Sequence, residues 1–304
     1  MTGDQRSFEV FQDLFRGNCR CMYSPADILR DGCERSLTRK EQRRAWRKQI
    51  VELVLYNLPD RDYLAGETSG EFGLDDNGLE LYKHSFVDPY AAALKAAKDL
   101  CFAVILEPDS LGNVITNQNV PLCADASSGY EEGIAYAIAQ LQSPHIALHI
   151  DAAHGGWLGW DGSLPLAAAE FAKVVTLASN FTKNATIRGF STDVSNYNPY
   201  IANPRANYTQ YSNSYDELDY ATSLAPYLTN ASNAFHHRSR TEWPPEYPRT
   251  LIDSIVWVKP SGESDGVCGP TIDGVEAPGA GLWWEAYVEN LVKKADPPLP
   301  PISS

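Results

Sequence analysis

"HIALHIDAAHGGWLGW", residues 145–160, decides how the chain reads. From His145 to Ile150 the run is mostly aliphatic and six residues long, the length of a strand and too short for a helix. It ends at Asp151 and His154, and then Gly155, Gly156 and Gly159 are interleaved with Trp157 and Trp160. A strand buried on both faces of a parallel sheet reads as such a continuous run. A carboxylate, an imidazole and two large aromatics at its C-terminal end mark a functional loop.

Similar runs recur on both sides: "IVELVLY" (50–56), "CFAVIL" (101–106), "ATIRGFST" (185–192) and "IDSIVWV" (252–258). Between them lie Ala-rich segments of helical period, at 88–99, 127–142 and 165–179, and "LWWEAYVENLVKKA" (282–295) reads as a closing helix. Strand and helix in alternation predict an α/β fold with parallel strands covered by helices. In a β/α barrel the loops after the strands form the active face. Cys101, inside "CFAVIL", is expected in the core.

The chain has 304 residues and a formal net charge of −14, which excludes nucleic acid and anionic membranes as main partners. Residues 1–50 run the other way, with eleven Lys and Arg against seven Asp and Glu. Their basic segment "ERSLTRKEQRRAWRK" (34–48) reads as a solvated helix face, the usual fate of a short charge run, over a nucleic-acid patch. No run is long enough to cross a membrane, and the first thirty residues lack the apolar core of a signal peptide, so no leader is expected in this chain. Four N-x-[ST] sequons stand at Asn180, Asn184, Asn207 and Asn230, either acceptors in a secreted protein or chance products of Asn- and Thr-rich loops. Cys19, Cys21 and Cys33 lack a fourth ligand at metal-site spacing, and the adjacent His236 and His237 point apart. No metal and no cofactor are expected.

The residues that follow each strand carry the chemistry. After the first come Asp60, Arg61 and Asp62; after the second, Glu107 and Asp109; after the third, Asp151 and His154; after "IDSIVWV", Lys259, Glu263 and Asp265. Unpaired carboxylates are not tolerated in a barrel interior. Four strand ends bearing them therefore predict convergence on a polar cleft suited to acid/base work. Tyr56, Trp157, Trp160, Tyr197 and Trp243 add flat apolar faces beside polar groups. Such faces suit the C–H faces of sugar rings, while Asp, Asn and Lys take the hydroxyls. Trp257, and Trp283 or Trp284, read instead as core filler.

In order along the chain, "YNLPDRD", "ILEPDSLGNVITN", "HIDAAHGGWLGW", "STDVSNYN" and "VWVKPSGESDG" resemble the family 6 glycoside hydrolases, the inverting cellulases that act on β-1,4-glucan. The resemblance covers about residues 51–230 and 251–296. It implies a distorted β/α (TIM-like) barrel, extracellular breakdown of cellulose by a monomer, and no cofactor. It casts Asp109 as proton donor, Asp62 as the neighbour that keeps the donor protonated, and Asp265 as the proposed base. His154, Trp157, Trp160, Asn196, Lys259 and Glu263 match sugar-contacting positions, and Asp151 matches a supporting carboxylate at the substrate site. Tyr56, Arg61 and Trp243 complete the expected substrate-binding set.

The chain also departs from the family pattern. Tyr63 stands where the resemblance implies a Cys bridged to the one matching Cys123, and "TEWPPEYP" offers no partner for Cys268. Between "LAPYL" and "IDSIVWV" the resemblance implies a further strand, which the sequence lacks. The organisation expected is an atypical segment at 1–50, a catalytic domain at 51–296 and a proline-rich tail at 297–304. Two functions compete: a β-1,4-glucan hydrolase, and a glucan-binding protein without turnover. Asp62, Asp109 and Asp265 together favour the hydrolase. Only "VCGPTIDGVE" stands where tunnel-forming relatives carry a long roof loop, so cleavage within chains is expected over processive release from chain ends.

Overall fold

The structure, a computed structural model, describes residues 50–61, 71–183, 185–196, 198–205, 207, 211–231, 264, 274–279 and 282–294. These fall into two compact units, one formed between Pro25 and Ile252 and the other including residues between Asp253 and Ser304. The expected strand at 252–258 and the segment 232–250 lie outside the described residues, as do Tyr63, Cys268 and most of residues 1–50.

In the first unit, strands β1 (Ile50–Leu55), β2 (Cys101–Leu106), β3 (Ile146–Asp151) and β4 (Gly189–Ser191) form one parallel sheet in the order β1-β2-β3-β4. Ile50 pairs with Cys101, Phe102 with Ile146 and His149 with Gly189. Spatial order equals chain order, so no reversal of winding occurs among the described strands. This is the arrangement of a β/α barrel rather than of a doubly wound sheet, whose ligand crevice lies where the winding reverses. The register carries every strand's C-terminal end to one side.

The strands form where the apolar runs predict. Every residue of β2 and β3 is buried, Cys101 included. β1 differs: Ile50 and Val54 are more than a third exposed, as befits the edge of the described sheet. β4 is shorter than its apolar run, although Arg188 N–H still donates to the Leu148 carbonyl at 2.7 Å.

The helices follow the Ala-rich segments. A continuous helical stretch runs through α1 (Gly78–Leu81), a π-turn (Tyr82–Val87) and α2 (Asp88–Ala96). Then come α3 (Ser110–Thr116), α4 (Pro121–Gln140), the single turn α5 (Gly155–Leu158), α6 (Leu164–Ala178) and α7 (Glu217–Ala231). α4 begins six residues before its predicted start because Pro121 occupies the first turn, where its missing N–H costs nothing. It is buried along most of its length, and Gly133 admits the Leu58 side chain, which would lie 2.6 Å from a Cβ. α6 packs on both α4 and α7. Leu55, Leu58, Ile134, Ile138, Ile150 and Phe171 are fully buried, each worth about 1.5–3 kcal/mol of apolar transfer.

In the second unit, α8 (Glu285–Lys293) has no buried residue. Of the two tryptophans before it, Trp284 is buried and Trp283 is 60% exposed. The sequon residues Asn180, Asn207 and Asn230 are exposed. No described helix is long and apolar enough to cross a membrane.

Candidate active site

All four described strands of the first unit are followed by strained backbone. Asp60 follows β1 with φ 53°, Glu107 and Asp109 follow β2 with 46° and 66°, Ala153 follows β3 with 51°, and Asp193 follows β4 with 59°. Left-handed conformations cost non-glycine residues roughly 1–2 kcal/mol each and persist where packing over-determines them. Five of them at the same ends of four neighbouring strands single out that rim.

After β1, Arg61 stacks its guanidinium 4.4 Å from the centre of the Tyr56 ring and donates from Nη1 to the Tyr56 carbonyl. One face of Tyr56 is thus already covered. Asp60 serves the turn itself: its Oδ2 accepts the Leu74 N–H at 2.9 Å, and its carbonyl accepts the Tyr130 hydroxyl at 3.0 Å.

After β2, the two acidic residues part company. Glu107 is buried, and its carboxylate accepts the backbone N–H of Asn57 at 3.0 and 3.1 Å and that of Leu58 at 3.2 Å. Burial raises its pKa to about 7, against the lowering influence of Asn57, Tyr82, Leu58 and Arg61. It stitches β2 to the end of β1 beneath the rim, which corrects the expectation that every strand-end carboxylate reaches a cleft. Asp109, two residues on, is half-buried and precedes α3 without capping it. Its Oδ1 accepts the Ser195 hydroxyl at 2.6 Å, and its backbone N–H donates to Asp151 Oδ1 at 3.0 Å.

Asp151, at the end of β3, is buried. Its Oδ1 takes the N–H groups of Asp109 and Ala153, both at 3.0 Å, while its Oδ2 has no partner. Burial raises its pKa to about 7; the Asp109 and Glu217 charges raise it further, and the two N–H groups oppose them. Asp151 therefore lies under Asp109 and braces it from below.

The glycine-rich loop has a packing cause. A Cβ at Gly159 would lie 2.3 Å from the Gly155 carbonyl oxygen and 2.6 Å from the Ser214 Cβ, and one at Gly155 3.1 Å from the Tyr220 Cβ. Only glycines let α5 dock this closely. Trp157, expected on an open loop, sits on this helical turn half-buried: its Nε1 donates to Thr116 Oγ1 at 2.9 Å, and its ring lies over Gly112 of α3. Trp160 is also half-buried and donates to the Gly156 carbonyl at 3.1 Å.

His154 stands between two amides, with Asn196 Nδ2 at 3.0 Å from its Nε2 and Asn198 Nδ2 at 2.7 Å from its Nδ1. Burial lowers its pKa, against the Asp109 charge. After β4, Asp193 Oδ1 accepts the Asn198 N–H at 3.0 Å, and burial raises the Asp193 pKa to about 7. Buried Glu217, at the start of α7, accepts the Gly155 N–H at 2.8 Å and Asn198 Nδ2 at 3.0 Å.

The structure thus gathers Asp109, Asp151, His154, Trp157 and Asn196 of the expected set, with Tyr56 and Arg61 after the neighbouring strand. Asp62, Tyr197, Trp243, Lys259, Glu263 and Asp265 lie outside the described residues. Sequence reading missed Asp193, Ser195, Asn198 and Glu217. The first three follow a strand and could have been found there; Glu217 carries no local signal. Among the described residues no group of three or more His, Cys, Asp or Glu could hold a metal ion. The arrangement offers a half-buried carboxyl group at Asp109, held by a hydroxyl and backed by a second carboxyl, beside imidazole, amide and indole groups. A carboxyl group so placed, beside polar and flat aromatic groups, is of the kind that acid/base chemistry uses.

The model of the glycosyl hydrolases family 6 matches the chain over residues 30–241 and 234–295. The 1,4-beta-D-glucan cellobiohydrolase CEL6B of Podospora anserina is 50% identical over 285 residues, covering 85% of this chain and 67% of that protein. Endoglucanase-6B of Humicola insolens is 45% identical over 271 residues, covering 81% of this chain and 76% of that protein. The crystal structure of CcCel6C from Coprinopsis cinerea superimposes with a TM-score of 0.73 at 38% identity, covering 99% of this chain and 86% of that one.

Proposed function

This chain belongs to the glycosyl hydrolases family 6, and we propose that it hydrolyses β-1,4-glucosidic bonds of cellulose or a related β-glucan with inversion. The observation that carries this reading is the placement of Asp109. It stands in a left-handed conformation at the rim, half-buried, with Ser195 on its carboxylate and Asp151 under its backbone N–H. In this reading Asp109 gives its proton to the glycosidic oxygen as the C1–O bond breaks. A water attacks C1 from the opposite face and loses its proton towards Asp265. Asp62 keeps the donor protonated and steadies the charged transition state. Inversion requires acid and base about 6.5–9.5 Å apart, to leave room for that water.

His154, Trp157, Trp160, Asn196, Lys259 and Glu263, with Tyr56, Arg61 and Trp243, bind the glucan chain in this reading, and Asp151 acts through Asp109. The enzyme works as a monomer, outside the cell where its polymer lies. Relatives include both a cellobiohydrolase and an endoglucanase. Cleavage within chains is proposed here from the short "VCGPTIDGVE" segment, which leaves little material for a roof.

The decisive experiment is Asp109→Asn. Asn is nearly isosteric and cannot donate the acid proton, so hydrolysis of an unactivated glucan should fall by about 10²–10⁴-fold with binding retained. Wild-type turnover in the variant would remove Asp109 from the role. Binding to cellulose without turnover in the wild type would make the chain a glucan-binding protein. On carboxymethyl cellulose, early viscosity loss relative to reducing ends is expected; cellobiose release at nearly constant viscosity would refute internal cleavage.

A further inference from the structure

Glu217 lies 62 residues along the chain from Gly155, yet its Oε1 accepts the Gly155 N–H at 2.8 Å. The same oxygen lies 3.0 Å from Asn198 Nδ2, which in turn lies 2.7 Å from His154 Nδ1. An amide NH₂ has two hydrogens and no lone pair to offer. With one hydrogen on Glu217 and the other on His154, Asn198 requires His154 Nδ1 to be the bare nitrogen. We infer that Glu217 is a positioning residue that, through Asn198, fixes His154 as the tautomer with its proton on Nε2.

Each end of this relay is anchored. Asn198 is held by its backbone N–H on Asp193 Oδ1 at 3.0 Å, so its side chain can rotate without the residue leaving. The Gly155 N–H keeps Glu217 Oε1 in place from the α5 side. Burial lowers the His154 pKa and so favours the neutral form, in which the choice of nitrogen matters. On the other side of the ring, Asn196 lies 3.0 Å from Nε2, and the inferred tautomer requires its amide oxygen rather than its NH₂ to face that nitrogen. Without an acceptor at residue 217, the Asn198 amide could turn as well and offer its oxygen to a proton on Nδ1. The two tautomers would then make equal numbers of hydrogen bonds, and His154 would lose its fixed donor at the rim. That donor's value to a sugar hydroxyl rests on the glucan reading above; the relay itself does not.

The test reads the imidazole of the full chain by two-bond ¹H–¹⁵N correlation, with no substrate present. In the wild type, Nδ1 should show as bare and Nε2 as protonated. Glu217→Gln should keep that pattern, because one amide oxygen can accept both N–H groups. Glu217→Met should average the two nitrogens. Asn198→Ala, which leaves the Glu217–Gly155 bond intact, should do the same, and the double variant should add nothing. A wild-type pattern in a folded Glu217→Met, or a proton on Nδ1 in the wild type, would overturn the inference. If Glu217→Met does not fold, Asn198→Ala decides: averaged nitrogens support the relay and an unchanged pattern refutes it. Affinity for a cello-oligosaccharide should fall about 2- to 10-fold in Glu217→Met, the worth of one net hydrogen bond. Averaging without that loss supports the relay and removes His154 from the glucan site.

Discussion

Replacing Asp151 with Asn should give a stability gain that grows from acid to alkaline solution. Asp151 is buried, its Oδ1 takes two backbone N–H groups, and its Oδ2 has no partner. Its folded-state pKa is raised from 3.8 to about 7, chiefly by burial. Between those values the folded chain holds a proton that the unfolded chain has lost. The stability this contributes is complete below the lower pKa and disappears as pH rises through the upper one. At pH 5 the proton favours the folded state by a factor of roughly 100, on the order of 3 kcal/mol; at pH 8 almost nothing is left. Asn copies the protonated acid: its oxygen can take both N–H groups, and it never ionises. Glu107 and Asp193, raised in the same direction, are common to both proteins and cancel in the comparison. Urea unfolding of wild type and Asp151→Asn at pH 5 and pH 8 measures the difference. The variant's advantage over wild type should be larger at pH 8 than at pH 5 by roughly 3 kcal/mol. An equal gap at both pH values would show that Asp151 does not keep its proton on folding.

Gly159→Ala places a methyl group 2.3 Å from the Gly155 carbonyl oxygen and 2.6 Å from the Ser214 Cβ, so α5 must move. A loss of about 1–3 kcal/mol is expected, read as a lower denaturation midpoint; an unchanged midpoint would mean that the loop does not pack this closely. Gly112→Ala sets two effects against each other: a better helix former gains about 1 kcal/mol, while its Cβ would lie 3.1–3.2 Å from the Trp157 ring. Stability should stay within about 1 kcal/mol of wild type, while affinity for a cello-oligosaccharide falls as the indole shifts. Undiminished affinity in calorimetric titration would remove Trp157 from the binding surface.

The alternation of strands and helices in the first unit was legible in the sequence, and so were several of the groups at the rim. Mostly apolar runs of strand length led to β2 (101–106) and β3 (146–151), which are buried whole, because a parallel strand covered on both faces needs no polar alternation. Asp109, Asp151 and His154 were legible because the residues just past a strand are fixed by the strand itself. Tertiary structure decided how these groups divide the work. Glu107 and Asp109 are two residues apart and look equivalent in sequence, yet one turns under to bind the backbone after β1 and the other stays at the rim. Trp157 looked like a loop residue; its α5 turn and its hydrogen bond to Thr116 come from the docking of α5 on α3. Glu217 was invisible beforehand, since no local pattern distinguishes a carboxylate at the start of a helix from one that accepts the N–H of Gly155. Periodicity reports which face of an element is buried. The partner that a buried polar group finds depends on which elements meet, and only the packed chain specifies that.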